Sequence, residues 1–307
     1  MCCTELQASC LCLNAKRAAV TLRATFMEII GRVAIDACLA GLGYESRTVG
    51  TRRGRVRVIV GSGSGALPTI VLLHGLGSQG ADYLPLLARL RPHVRKIVAP
   101  DMPGHGSSEA KLALRPRTTH VATLGDALDD VLDEPAIIFG NSLGGYAALR
   151  YAIARPERVR GLFLASPSGA PSTKEEIDQL MAVLRIRSHA DALRFLELAV
   201  HGEANWFRHV MAWGLRRRFT APSLVPWIDS IRDAEPLAPD DLARMTMPIH
   251  LMWGRSERVL PKAHLEFFRA HLPKSARIDE PEGFAHSPQL DDPKYVAARL
   301  LAFAEAS

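Results

Sequence analysis

One serine stands in a setting that makes its hydroxyl reactive. Gly140-Asn141-Ser142-Leu143-Gly144-Gly145 reads G-x-S-x-G, directly after the apolar run Ala136–Phe139 and directly before a stretch rich in Ala, Leu and Tyr. Strand, tight turn and helix in that order put Ser142 on a sharp elbow with its hydroxyl exposed. A side chain at 140 or 144 would collide with neighbouring backbone there. The helix behind the turn points its N-terminal N–H groups at the reaction site. The alternative is a Gly-rich turn with a purely structural role.

A hydroxyl is a weak nucleophile until a base takes its proton. The base expected here is a His, oriented by a carboxylate on its other ring nitrogen. With a strand-borne Ser, the partners follow along the chain in the order Ser, acid, His. Among eleven His, His286 alone follows a final strand with Gly before it and Pro after it. His264 and His271 fall in a helical pattern and read as surface residues. The expected acid is Glu257, which follows the apolar run Ile249–Trp253. Glu is one methylene longer than Asp, so its loop must retract to keep the bond to the imidazole. Asp279, Glu280 and Glu282 are the alternatives. The anion that develops on a carbonyl oxygen needs two backbone N–H donors. Leu143, after the nucleophile, and Leu76, in His74-Gly75-Leu76-Gly77, are the candidates. His74 itself reads as a structural partner for its loop.

These residues need a scaffold, and the hydrophobic pattern supplies one. Short apolar runs at Thr69–Leu73, Lys96–Ala99, Ala136–Phe139, Gly161–Ala165 and Ile249–Trp253 alternate with helical stretches near 82–91, 118–132 and 143–155. Runs apolar on both faces fit parallel strands covered by helices on each side. The alternation predicts an open, doubly wound α/β sheet. Val56, Val58 and Val60 alternate with Arg55, Arg57 and Ile59, which predicts an outer strand or a hairpin strand. Gly61-Ser62-Gly63-Ser64-Gly65 reads as a flexible link; its glycines precede a strand, so it fails as a dinucleotide fingerprint.

Between Pro171 and Asp240 the rhythm breaks into several helices, and this segment holds three of the four Trp. The α/β pattern then resumes with a helix near 261–271, a strand at Ala276–Asp279 and a helix near 293–305. An amphipathic helix is expected over Phe26–Leu42, packed on the body of the protein or lying on lipid. The expected division is an N-terminal extension (1–44), a core (45–171 and 241–307) and an inserted helical cap, or lid (172–240).

Composition removes several function classes. Aromatics are 6% of 307 residues, too few for a wide nucleic-acid stacking platform. The net charge of +6 is dispersed, and no basic block exceeds Arg216-Arg217-Arg218. That tripeptide reads as a solvated helix face, with weak contact to anionic lipid as the alternative. All five Cys lie within the first 38 residues, which fits neither a disulfide framework nor a metal knuckle. No apolar run reaches membrane-span length and no secretory signal is evident. The reading is a cytoplasmic protein, with Met27 an alternative start that would leave out the Cys-rich lead.

The blocks HGLGSQG (74–80), APDMPGHGSS (99–108), GNSLGG (140–145), WGRSERVLP (253–261) and GFAHSPQLDDP (283–293) resemble the signature blocks of the α/β-hydrolase superfamily, in its order. The resemblance covers residues 45–307, and within the superfamily it is strongest to bacterial carboxylesterases and monoacylglycerol-lipase-like members. It implies hydrolysis of carboxylic esters, of short- to medium-chain acyl or monoacylglycerol-like type, through an acyl-enzyme on Ser142. No metal or organic cofactor is implied. One departure is that the acid block of the superfamily usually carries Asp where Glu257 stands. Dehalogenases and epoxide hydrolases of this fold use a carboxylate nucleophile, so Ser142 argues against both. Carbon–carbon bond hydrolysis, acyl transfer and a non-catalytic binding role remain alternatives. The expected partner is a small ester or lipid-like molecule and not a nucleic acid. Trp206, Phe207, Trp213, Leu224 and Trp227 are expected to wall an apolar acyl pocket, or else to fasten the cap to the body.

Overall fold

The computed structural model describes residues 33–109, 111, 117–202 and 206–307. Met27, the four Cys of the first dozen residues and the start of the expected helix at Phe26 lie outside them. By contacts the chain separates into two units, Met1–Glu45 and Ser46–Ser307. In the first, a helix α1 covers residues 33–41, with Leu39 buried and Val33 exposed.

The second unit is built on one sheet. Its strands are β1 (Glu45–Thr51, in this unit from Ser46 on), β2 (Gly54–Ser62), β3 (Ile70–Leu73), β4 (Lys96–Pro100), β5 (Ala136–Asn141), β6 (Val159–Ala165), β7 (Ile249–Met252) and β8 (Arg277–Asp279). They lie in the order β1-β2-β4-β3-β5-β6-β7-β8. From β4 to β8 each pair is parallel, and β2 runs antiparallel to β4. Helices α2 (Leu84–Leu90), α3 (Arg117–Val131) and α4 (Leu143–Ala154) alternate with the strands, as the apolar runs predict. Side chains of β6 point alternately to two helical layers. Phe163 meets Phe303 at a centroid distance of 5.9 Å, while Leu162 and Leu164 join the core with Tyr146 and Ala147 of α4.

Between β6 and β7 stand α5 (Lys174–Leu184), α6 (His189–Ala199), α7 (Trp206–Phe219), α8 (Val225–Asp229) and α9 (Pro239–Ala243). Thr173 caps α5 and Ser188 caps α6, each in a reciprocal box with the acidic residue three positions on. The chain ends with α10 (Lys262–His271), α11 (Pro288–Asp291) and α12 (Pro293–Ala306). None of the helices among the described residues is long and apolar enough to cross a membrane.

Two local expectations change. The Gly61–Gly65 segment is not a loose link, because Gly63, Ser64 and Gly65 donate to the carbonyls of Arg95, Arg91 and Val94. A Cβ on Gly63 would lie 1.8 Å from the Val94 oxygen, so glycine there permits a close backbone approach. His264 is buried, not superficial, with Nε2 2.8 Å from the Ser172 hydroxyl.

Candidate active site

Ser142, Glu257 and His286 come from three loops at the carboxyl ends of β5, β7 and β8, the edge where open α/β sheets place their ligands. Ser142 joins β5 to α4 with φ 55° and ψ −116°, a left-handed conformation that costs a non-glycine residue about 1–3 kcal/mol. The surroundings enforce it. A Cβ on Gly140 would lie 2.5 Å from the Gly144 oxygen, and one on Gly144 2.0 Å from the Leu73 oxygen. Only a chain bare at both positions makes so tight a turn. The Ser142 N–H donates to Ala165 on β6, and its carbonyl accepts from Tyr146 and Ser168.

His286 Nδ1 lies 2.8 Å from Glu257 Oε2, and both side chains are almost fully buried. The carboxylate accepts there, so Nδ1 carries the hydrogen and Nε2 remains free to act as a base. Glu257 Oε1 accepts the N–H groups of Val259 (2.7 Å) and Leu260 (3.0 Å). These bonds fix the carboxylate from its own loop while its other oxygen faces His286. Burial pushes the Glu257 carboxyl up, but the charge and hydrogen bond of His286 and the Leu260 N–H pull harder, leaving it below its ordinary range. The alternative acids are engaged elsewhere: Asp279 with His250 and Arg299, Glu280 with Arg269, Glu282 with Arg255.

Ser142, His286, Leu76 and Leu143 all line one cavity of about 630 Å³. A Cβ on Gly75 would stand 3.4 Å from Ser142 Cβ, so the loop bearing Leu76 runs in contact with the elbow. That loop is held from below. His74 Nε2 accepts the Met102 N–H (2.8 Å), while its Nδ1–H donates to Gly75 O (2.8 Å). Burial pushes His74 below its ordinary range and keeps it neutral, with nearby carboxylates opposing only in part. Asp101 takes the Gly80 N–H at 2.8 Å. Above the loop, Arg218 of α7 grips Asp82 through both guanidinium nitrogens, at 2.5 and 2.9 Å.

Phe207 and Trp227 are among the residues that line the cavity. Trp206, Trp213 and Leu224 stand outside its lining. On α7 the lining stripe is Phe207, Val210, Met211, Gly214, Leu215 and Arg218. Trp206 and Trp213 lie one residue off that stripe and are 77% and 51% exposed. Leu224 is buried in the core ahead of α8. Trp227 stacks on His120 at 4.0 Å and donates to Pro103 O, so it lines the cavity and also ties α8 to α3 and to the loop after β4.

Several supporting residues escaped sequence reasoning. Asn141 donates to His286 O (2.8 Å) and Ala165 O (3.0 Å), and accepts from Gln289 (3.0 Å). Asp291 accepts the N–H groups of Ala285 and His201, both at 2.7 Å. The position of Asn141 inside the G-x-S-x-G block was the available signal.

Residues 70–299 match the model of the alpha/beta hydrolase family. A pimeloyl-[acyl-carrier protein] methyl ester esterase of Neisseria meningitidis is 28% identical over 251 residues, which cover 78% of this chain and 94% of that one. A bacterial membrane phospholipase A superposes with a TM-score of 0.78 at 23% identity, over 99% of this chain and 98% of that one. Carboxylesterase CesB of Bacillus subtilis superposes with a TM-score of 0.70 at 24% identity, over 90% and 97%. Likeness at these identities establishes a common fold.

Proposed function

The chain belongs to the alpha/beta hydrolase family, and from that premise we propose that it is a serine hydrolase of carboxylic esters, with Ser142 as nucleophile, His286 as base and Glu257 as the acid that orients it. The observation that carries the reading is the buried 2.8 Å bond from His286 Nδ1 to Glu257, in a cavity that His286 shares with Ser142.

The proposed cycle uses this geometry step by step. Ser142 Oγ attacks the ester carbonyl carbon while His286 Nε2 takes its proton. Glu257 stabilises the imidazolium that results. The negative charge moves to the former carbonyl oxygen, which accepts from the N–H groups of Leu76 and Leu143. The tetrahedral intermediate collapses, His286 protonates the departing alcohol, and an acyl group remains on Ser142. Water deprotonated by His286 then releases the carboxylic acid and restores the serine.

The cavity walls favour an apolar acyl group. Leu180, Leu184, Phe195, Met211 and Ile231 face the space, and the Asp82–Arg218 ion pair in its lining is closed on itself. Helices α5–α9 act in this proposal as the cap whose side chains select acyl length. A panel of p-nitrophenyl esters from acetate to laurate tests the reading, run on wild type beside Ser142→Ala. Turnover in the wild type with loss in Ser142→Ala is expected. An inert wild type would refute ester hydrolysis.

A further inference from the structure

The cap helix α7 (Trp206–Phe219) has two apolar stripes where a helix closing a soluble protein needs one. The inner stripe lines the cavity. The outer stripe comprises Trp206, Val210 and Trp213, which are 77%, 54% and 51% exposed. Phe207 is 54% exposed and joins the two stripes at the rim of the cavity. An exposed cluster of this kind marks an interaction surface. Its residue types narrow the partner, because tryptophan favours the boundary between water and lipid, where one end of the ring is wet and the other apolar.

Charge narrows it further. Residues 206–219 contain four Arg and neither Asp nor Glu. Two of the Arg face inward: Arg208 donates to the carbonyls of Val200, His201 and Gly202, and Arg218 holds Asp82. Arg216 and Arg217 remain partly exposed at the end of the helix. The Arg217 guanidinium lies 5.1 Å from the Trp213 ring, so cation and aromatic form one surface. Apolar rings flanked by cations match the headgroup boundary of an anionic bilayer.

We propose that the outer face of α7 docks on an anionic phospholipid surface, with Trp206, Phe207, Val210 and Trp213 entering the headgroup boundary and Arg216 and Arg217 contacting lipid phosphates. Since Phe207 and Val210 belong to both stripes, docking turns the cavity rim toward the lipid. An apolar acyl ester then enters from the bilayer without crossing water. That last consequence rests on the ester-hydrolase reading; the docking does not.

Vesicle binding tests it on the full chain, with phosphatidylcholine vesicles compared with vesicles that also contain phosphatidylglycerol. Wild type is expected to sediment with the anionic vesicles and to show a blue-shifted Trp emission. Trp227 and Trp253 are already buried, so the shift reports Trp206 and Trp213. Trp206→Ser with Trp213→Ser is expected to weaken partitioning about tenfold or more, the worth of an apolar side chain leaving its phase. Arg216→Ser with Arg217→Ser is expected to remove the preference for anionic lipid and its salt sensitivity. Turnover of a soluble short-chain ester is expected to be unchanged in the tryptophan pair, since neither ring lines the cavity. Wild type that binds neither vesicle would overturn the proposal, as would a tryptophan pair that binds like wild type. Self-association lost in that pair, without vesicle binding, would overturn it in favour of a second copy of the chain. Vesicle binding by a protein that hydrolyses no ester would leave the surface standing and refute the catalytic reading alone.

Discussion

Glu257→Gln isolates the role of one oxygen. In wild type, Oε1 accepts two N–H groups, from Val259 and Leu260, and Oε2 accepts the His286 Nδ1–H. Glutamine has almost the same shape but only one accepting end. If that end keeps the two backbone donors, the amide NH2 faces His286 Nδ1. The imidazole must then accept at Nδ1 and carry its hydrogen on Nε2, where it cannot take a proton from Ser142. The wrong tautomer costs about 10⁴-fold in turnover in the serine protease that serves as the reference case. If the amide flips, the tautomer is saved, but two buried N–H groups face a donor. At about 1–3 kcal/mol for each unsatisfied group the flip costs about 2–6 kcal/mol. At about 1.36 kcal/mol per tenfold that corresponds to a loss between about 30-fold and 10⁴-fold. Both routes converge on a turnover loss of at least about 30-fold. Steady-state kinetics on a p-nitrophenyl ester would measure it, with thermal melts to verify folding. A folded Glu257→Gln enzyme that loses less than about threefold would refute the reasoning, because neither arrangement permits so small an effect.

Asn141→Leu removes the donor to His286 O; kcat is expected to fall about tenfold or more with KM little changed, and an equal rise in KM would count against a positioning role. Gly144→Ala drives a Cβ to 2.0 Å from Leu73 O, and a melting temperature within a degree or so of wild type would contradict the tight elbow. Burial holds His74 and His105 below their ordinary range, so the unfolded chain takes up protons that the folded one refuses. Stability is therefore expected to be full above a pH of about 6.5 and to decline as the pH falls from there toward the folded values, with a shallower decline in His105→Gln. Asp82 has the same sign over a lower range. Burial raises it and Arg218 more than offsets that, so its contribution is held above the ordinary carboxylate range and lost as the pH falls through its depressed value. Denaturant titrations of Asp82→Asn from neutral to acid pH are expected to show a flatter acid limb than wild type.

Much of the scaffold was legible because parallel strands covered on both faces appear as unbroken apolar runs. β3, β4, β5, β6 and β7 each lie within two residues of the expected apolar run, while the short β8 (Arg277–Asp279, only partly buried) begins one residue after its expected start. β1 was not legible, because of its seven residues only Val49 is buried, and an edge strand with one inward side chain has no pattern to read. The pairing of Glu257 with His286 was readable from chain order, since both follow strands at the same sheet edge. The inward face of α7 was not. Apolar residues occupy positions on both of its stripes, and only packing against α6 decides which stripe turns in. For the same reason Trp206 and Trp213 fell among the expected pocket residues while Met211 and Leu215 did not. His264 misled in the opposite direction: a histidine on an amphipathic helix reads as exposed until Ser172 is seen to meet it.

The central claim is that Ser142 is the activated nucleophile, and covalent labelling tests it most directly. The folded protein is incubated with a fluorophosphonate, and the adduct is located by peptide mass. The account predicts one phosphonate on the peptide that contains Ser142, rapid in wild type, slow in His286→Ala and absent in Ser142→Ala. An unlabelled wild type, or an adduct on any other residue with Ser142 untouched, would contradict it.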